Sequence, residues 1–314
     1  MFYVSMVFRN IRRHGFKSLL TGFVCVLVVL FLFMYMGSIS ASQKQLDRLP
    51  DALPVSAQIS NHSGSQVVGL LIDGSVIKQL DASDTTKDLL YTTRLAANIA
   101  PETPEEEDGY KTIAITGAND LAAFPFLTEK DVSLTGGSAR DIMQGQQTGV
   151  IAADTFLLDR NLKPGDNVAL ALYSIDFDDD QIMVKYRKIC DVEVFIAGSF
   201  TPSDATGPVE MPAIICWAGW VEELLSAYGL PFYADSASFF VRDPIRLNDF
   251  KAEMGKLGFV SVDPQAKPNL SGIGLSVNDK TFISSAGSLQ KNLSLMRTFL
   301  PFILIARNPW LFNS

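Results

Sequence analysis

The stretch MVKYRKICDVEVFIAGSF, residues 183–200, carries the pattern that decides the fold. Val184, Tyr186, Cys190, Val192, Val194 and Ile196 fall on even positions, and Lys185, Arg187, Asp191 and Glu193 on odd ones. Successive side chains of a strand point to opposite faces, so this alternation predicts a strand, or two joined by a bulge, with one wet and one buried face. Upstream, NVALALYSI (167–175) reads as its hairpin partner across DFDDDQ (176–181). Asp176 and the run Asp178 to Asp180 lack the glycine and the twelfth-position Glu of a calcium loop, which leaves a polar turn.

Working outward, the periodicity changes to that of helices. DGSVIKQL (73–80) begins on a plausible N-cap, and WVEELLSAYG (220–229) is amphipathic with Gly229 as its stop. DPIRLNDFKAEMGKLG (243–258) places Leu247, Phe250, Met254 and Leu257 on one face and ends at Gly258. It follows the apolar SASFFV (236–241), so strand then helix is the unit. The region reads as α+β: a β-rich insert between two portions of mixed strand and helix. The Pro- and acid-rich stretches 100–110 and 201–212 read as solvated loops, and the run Glu105–Asp108 as a solvated charge run rather than a metal site.

Toward the N-terminus, Leu19 to Ile39 is a run of 21 residues without a charge. A helix rises 1.5 Å per residue, so about 20 apolar residues cross a hydrocarbon core of about 30 Å. A secretory signal needs an apolar core of only about 7–15 residues, although Ser38, Ser40 and Ala41 offer a conceivable cleavage site. An uncleaved span is the reading adopted. Arg9, Arg12, Arg13 and Lys17 precede it with no acidic residue among them, which places the N-terminus in the cytoplasm and the rest outside. Val4, Val7, Phe8 and Ile11 recur at helical spacing beside those cations. The segment reads as an interfacial helix, or else as a charged flank that fixes topology.

The chain has a formal net charge of −8. An acidic outer domain has no electrostatic reason to bind nucleic acid. Of the two histidines, His14 and His62, neither has a partner at metal-ligand spacing, and no nucleophile elbow, zinc motif or phosphate-binding loop occurs. LTGGSARD (134–141) reads as a turn. No residue is assigned to catalysis, a cofactor or a metal, and the chain is read as a non-enzyme. Cys25 lies in the span; Cys190 and Cys216 read as buried thiols, with a disulfide as the alternative.

The opening FRNIRRHGFKSLLTGF (8–23) resembles the usual start of ABC-transporter permeases of the MacB/FtsX-like superfamily. VIAADTFLLDRNLKPGDNVAL (150–170) is similar to a recurring segment of that superfamily's extracytoplasmic core. Leu162, Lys163, Gly165 and Asp166 match its turn, while Leu157 stands where the family more often has Ala. VFIAGSFTP before EMPAIIC, the unit 238–258, and SLQKNLSLMRTFLPFILIA (288–306) follow the same order. The resemblance implies an interfacial helix over 1–17, a first span over 18–42 and an outer MacB-like core over 44–288, with its β-rich insert at about 127–233. A second span would start at 289–314.

By resemblance, the chain would be a permease subunit in the cell membrane, acting as a homo- or heterodimer. It would couple ATP hydrolysis by a separate cytoplasmic ATPase, which holds the nucleotide, to movement of the outer domain for export or extraction of a substrate. Phe8, Ile11, Arg12 and Arg13 are assigned to the ATPase-coupling end by position. Relatives carry four spans, whereas here the uncharged run Thr298–Ala306 is nine residues, too short to cross a bilayer, so a C-terminal truncation is expected. The competing reading is a single-span anchored binding or scaffold domain.

Overall fold

The computed structural model describes residues 15–100, 112–177, 184–201 and 211–305. It divides into two compact units, one of residues 1–54 with 279–314 and one of residues 55–278. Residues 1–14 of the interfacial helix expected over 1–17, the acidic runs 105–108 and 178–180, and most of the loop 201–212 lie outside the described residues, while 15–17 belong to the long helix that follows rather than to a separate one.

The first unit holds α1 (Gly15–Ala52). This helix does not stop with the apolar run expected over 18–42 but continues through Lys44, Asp47 and Arg48. The second unit opens with strands β1 (Ser56–Ser60) and β2 (Ile72–Asp73) and helix α2 (Gly74–Ala82). The long strand β3 (Thr86–Ile99) and β4 (Ile113–Ala118) follow. Next come β5 (Val132–Leu134), α3 (Ala139–Met143), β6 (Val150–Ala153) and α4 (Asp154–Asp159). The hairpin β7 (Asn167–Phe177) and β8 (Val184–Phe200) leads to β9 (Ile214–Trp217) and α5 (Ala218–Ala227). The unit closes with β10 (Tyr233–Ala234), β11 (Ser236–Val241), α6 (Leu247–Lys256), β12 (Val260–Ser261) and β13 (Gly274–Val277). Back in the first unit, α7 (Lys280–Ile305) begins earlier than the 289 expected for a second span. Both helices outrun their apolar segments, and the second unit covers 55–278, within the 44–288 that the resemblance implied.

The second unit is a mixed α/β structure built on one sheet of order β12-β13-β1-β11-β3-β4-β9-β6-β8-β5, with β7 bridging β3 and β8. The hairpin forms as its alternation predicts, Asn167 opposite Phe195 through Phe177 opposite Val184. Its register shifts between Leu172 and Tyr173, so Ile189 is the extra residue of a bulge. A second irregularity interrupts the β3–β11 pairing, where Asp88 takes φ 52°. A short polar side chain tolerates that left-handed conformation better than a branched one.

One large core lies under β4, β6, β8 and β9, where Ile115, Ile142, Ile151, Leu170, Ile196, Phe200 and Ile214 are buried. Toward the other end Phe239 of β11 meets Phe250 of α6 edge-on, ring centroids 6.1 Å apart, and α2 adds buried Ile77 and Leu80. In α6 Leu247, Phe250 and Met254 are buried as their spacing predicts, and Gly258 ends the segment at φ 93°. LTGGSARD is a turn only as far as Ser138, whose side chain accepts from the Asp141 N–H and caps α3. Cys190 is half-buried, Cys216 is buried, and both are free thiols, which excludes the disulfide.

Candidate functional site

Two places concentrate organised side chains: the helix pair of the first unit and a cleft in the second.

Along α1 the less exposed positions are Val28, Leu32, Tyr35, Ile39, Ser42, Leu46 and Leu49. Along α7 they are Phe282, Ala286, Leu289, Leu293 and Met296, with Ser285 beside them. Both series step alternately by four and three, the 3.5-residue repeat that keeps one seam of a helix against a partner helix. The two helices are in contact. The Tyr35 hydroxyl donates to the Met296 carbonyl, and the Ser38 hydroxyl lies 3.9 Å from the Met296 sulfur. Farther along α1, Leu46 and Asp47 line a groove with Gln290 and Leu293, so the helices run antiparallel. Off this seam α1 is apolar all round through its span: Phe16, Leu19, Phe23, Leu30 and Phe33 are exposed. A helix apolar on every side and long enough to cross a bilayer has the make-up of a membrane span.

The cleft originates in how β3 shares its edges. One edge pairs with β4 over residues 92–97. The other pairs with β11 as far as Thr92 and with β7 only from Ala96 onward. Thr93, Arg94 and Leu95 have no strand partner on that edge among the described residues. The gap is pinned by the Asp235 N–H donating to the Thr92 carbonyl at 2.7 Å and the Thr93 hydroxyl donating to the Tyr233 carbonyl at 2.9 Å. A cavity of about 380 Å³ opens there, walled by Leu70, Leu71, Leu225 and Leu230 and by Ser174, Tyr186 and Arg187 of the hairpin. Arg94, Arg187 and Asp235 are its three charged lining residues. Burial pushes the Asp235 carboxyl above its ordinary range, opposed by the Gly69 N–H, the Arg94 guanidinium and the Thr92 hydroxyl.

Phe8, Ile11, Arg12 and Arg13, assigned from sequence to ATPase coupling, lie outside the described residues. No group of three or more His, Cys, Asp or Glu fit for a metal occurs among the described residues. Sequence reasoning missed the cleft: Arg94 and Arg187 come from different strands and share no motif. Arg187 was legible only as a wet-face residue of β8.

No family model matches the chain, and comparison with curated proteins gives no match. Among solved structures, the periplasmic region of MacB from Actinobacillus actinomycetemcomitans is similar at 8% identity, with a TM-score of 0.38 over 75% of this chain and 92% of that one. The extracellular domain of the noncanonic ABC-type transporter YknZ from Gram-positive bacteria is similar at 10% identity and a TM-score of 0.33, over 65% and 89% of the two chains. A domain of a candidate permease from Porphyromonas gingivalis is similar at 13% identity and a TM-score of 0.33, over 71% and 86%.

Proposed function

We propose that this chain is a membrane-anchored permease-type subunit of an ABC transporter, with residues 55–278 as its extracytoplasmic domain. The observation that carries the reading is the α1–α7 pairing. The polypeptide enters the outer unit at Val55 and leaves it at Asn278, on adjacent strands, where the Asn278 N–H donates to the Ser56 carbonyl at 2.8 Å. Both crossings continue as helices whose four-three seams face each other. A domain inserted between two paired helices responds to any shift of one helix against the other, because packed interfaces change between discrete arrangements rather than deforming smoothly.

In this reading the N-terminus is cytoplasmic, and a separate ATPase docks on the segment containing Phe8, Ile11, Arg12 and Arg13. The ATP-bound and free states would favour different packings of the spans, in a homo- or heterodimer of permease chains. Purification of the full chain from native membranes tests this. A co-purifying ATPase, lost when those four residues are replaced together by Ala, supports the permease reading. Full retention by the replaced chain sinks the coupling assignment.

The Arg94 cleft favours a second reading, an anchored binding domain without transport. Capture of an extracytoplasmic ligand by a chain that recruits no ATPase would decide for it.

A further inference from the structure

The groove beside the α1–α7 seam turns polar where the pair leaves the apolar run. Gln43 and Asp47 of α1 line it with Gln290, Ser294, Arg297 and Thr298 of α7, and Asp47 and Arg297 are its two charged lining residues. Positions 43 and 47, and 290, 294, 297 and 298, recur at helical spacing, so each helix presents one polar stripe to the groove. Neither Asp47 nor Arg297 has an ion-pair partner among the described residues, although they share one concavity. Its volume of about 580 Å³ falls within the range of ligand sites, about 300–1,000 Å³. Depth sorts the two charges. Met296 meets Tyr35 and Ser38 at the end of the uncharged run Leu19–Ile39, so Arg297 starts at the edge of the hydrocarbon level. Helical side chains tilt toward the N-terminus of their helix, and α7 runs antiparallel to α1. Arg297 therefore tilts out of the apolar level, and Asp47, about two turns beyond Ile39, tilts back toward it. The cation enters the groove from its hydrocarbon end and the carboxylate from its water end.

A phospholipid with an amine headgroup carries its groups in the same order: acyl chains, then phosphate, then ammonium. From this match between charge order and depth we infer that the α1–α7 groove holds the headgroup of a phosphatidylethanolamine-type lipid, with Arg297 on the phosphate and Asp47 on the ammonium. Guanidinium–phosphate pairs are charge-assisted and bidentate, which makes Arg297 the stronger contact. Gln43, Gln290 and Ser294 add neutral hydrogen-bonding groups, and the exposed Phe33 and Met36 of α1 continue below as apolar surface for the chains. The inference rests on the proposed reading of α1 as a membrane span, and with a cytoplasmic N-terminus the groove meets the extracytoplasmic leaflet. It requires no ATPase, so failure of the coupling assignment leaves it standing.

The test is native mass spectrometry of the full chain, delipidated in detergent and titrated with dioleoyl phosphatidylethanolamine, dioleoyl phosphatidylglycerol or dioleoylglycerol. The expected result is one phosphatidylethanolamine per chain, bound about fivefold tighter than phosphatidylglycerol, which lacks the ammonium. Dioleoylglycerol, which lacks the phosphate as well, should bind about tenfold more weakly than phosphatidylethanolamine or worse. Arg297→Gln should weaken both phospholipids by about tenfold, and Asp47→Asn should erase the preference between them. Both positions are exposed, so circular dichroism should stay that of the wild type. Soluble glycerophosphoethanolamine in excess should not displace the lipid, because it brings no chains. Displacement would make the free headgroup the ligand and overturn the inference. So would a wild-type chain that does not prefer phosphatidylethanolamine, a preference that survives Asp47→Asn, or unchanged affinity in a folded Arg297→Gln chain.

Discussion

The hydroxyl of Tyr35 on α1 donates to the backbone carbonyl of Met296 on α7, joining residues 261 positions apart in the chain. A tyrosine inside an apolar run needs a partner for its hydroxyl, since an unmet polar group away from water costs several kcal/mol. Here the partner comes from the opposite helix, so the bond also fixes how far the two seams slide along each other. Tyr35→Phe should therefore weaken the pairing by about 0.5–1.5 kcal/mol.

Leu293 is a stronger test of the same seam. It is 6% exposed and lines the groove with Leu46. Leu293→Ala removes a well-packed side chain, a change that costs about 2–5 kcal/mol in packed interiors. Hydrogen exchange over 286–296 should accelerate in the variant while β3 and β4 exchange as before. Unchanged protection of α7 would mean that the seam does not hold the helices together.

Glycines in the second unit separate into those that touch backbone and those that do not. A Cβ at Gly274 of β13 would stand 2.2 Å from the Asn61 carbonyl oxygen, and backbone cannot swing aside without breaking the pairing of Ser60 with Gly274. Gly274→Ala should cost about 1–3 kcal/mol, read as a drop in thermal midpoint. At Gly255 of α6 a Cβ meets nothing within 4 Å, and Gly255→Ala should instead raise stability by about 0.5–1 kcal/mol. If both variants fall equally, the clash argument fails.

The contrast between legible and illegible parts follows from periodicity. The hairpin of β7 and β8 has one wet face, so its alternation survives in the sequence, down to the bulge at Ile189. Strand β3 does not read as a strand because it changes partners along its length, and its threonines are buried but satisfied. Thr92 bonds Ser236 at 2.7 Å and Thr93 bonds the Tyr233 carbonyl. The four-three seam of α1 is masked because the residues around it are apolar too, the make-up of a membrane span. The cleft is invisible for a topological reason: its cations converge only once β3 and the hairpin are side by side.

Asp73 should act as a measurable helix cap. Its carboxylate accepts from the Ser75 N–H at 2.8 Å at the start of α2. The Ser75 side chain and backbone both hold its pKa below the ordinary 3.8. A depressed carboxyl stabilises the fold above the unfolded value and loses that contribution as pH falls through the folded one. Asp73→Ala should cost about 1 kcal/mol near neutral pH. Asp73→Asn should retain most of the cap while removing its share of acid sensitivity, measured as the midpoint shift between pH 6 and pH 3. Equal acid sensitivity in the Asn variant would rule out this carboxylate as its source.

Cys216 sets an alkaline limit. It lies on β9, is 1% exposed, and burial pushes its thiol from the ordinary 9.0 up to about 12. The unfolded chain therefore loses this proton first as pH rises. Between about 9 and 12 the folded state binds more protons, and stability falls by up to about 1.4 kcal/mol for each pH unit in that window. Below 9 the thiol contributes no slope. Cys216→Ala carries its own cavity cost, so the quantity to compare is the slope of stability against pH from 8 to 10.5, which should be shallower in the variant. Maleimide should leave Cys216 unmodified in the folded chain at pH 8 and label it on denaturation. Rapid labelling of native Cys216, or identical slopes for the two chains, would show that β9 does not keep the thiol from water.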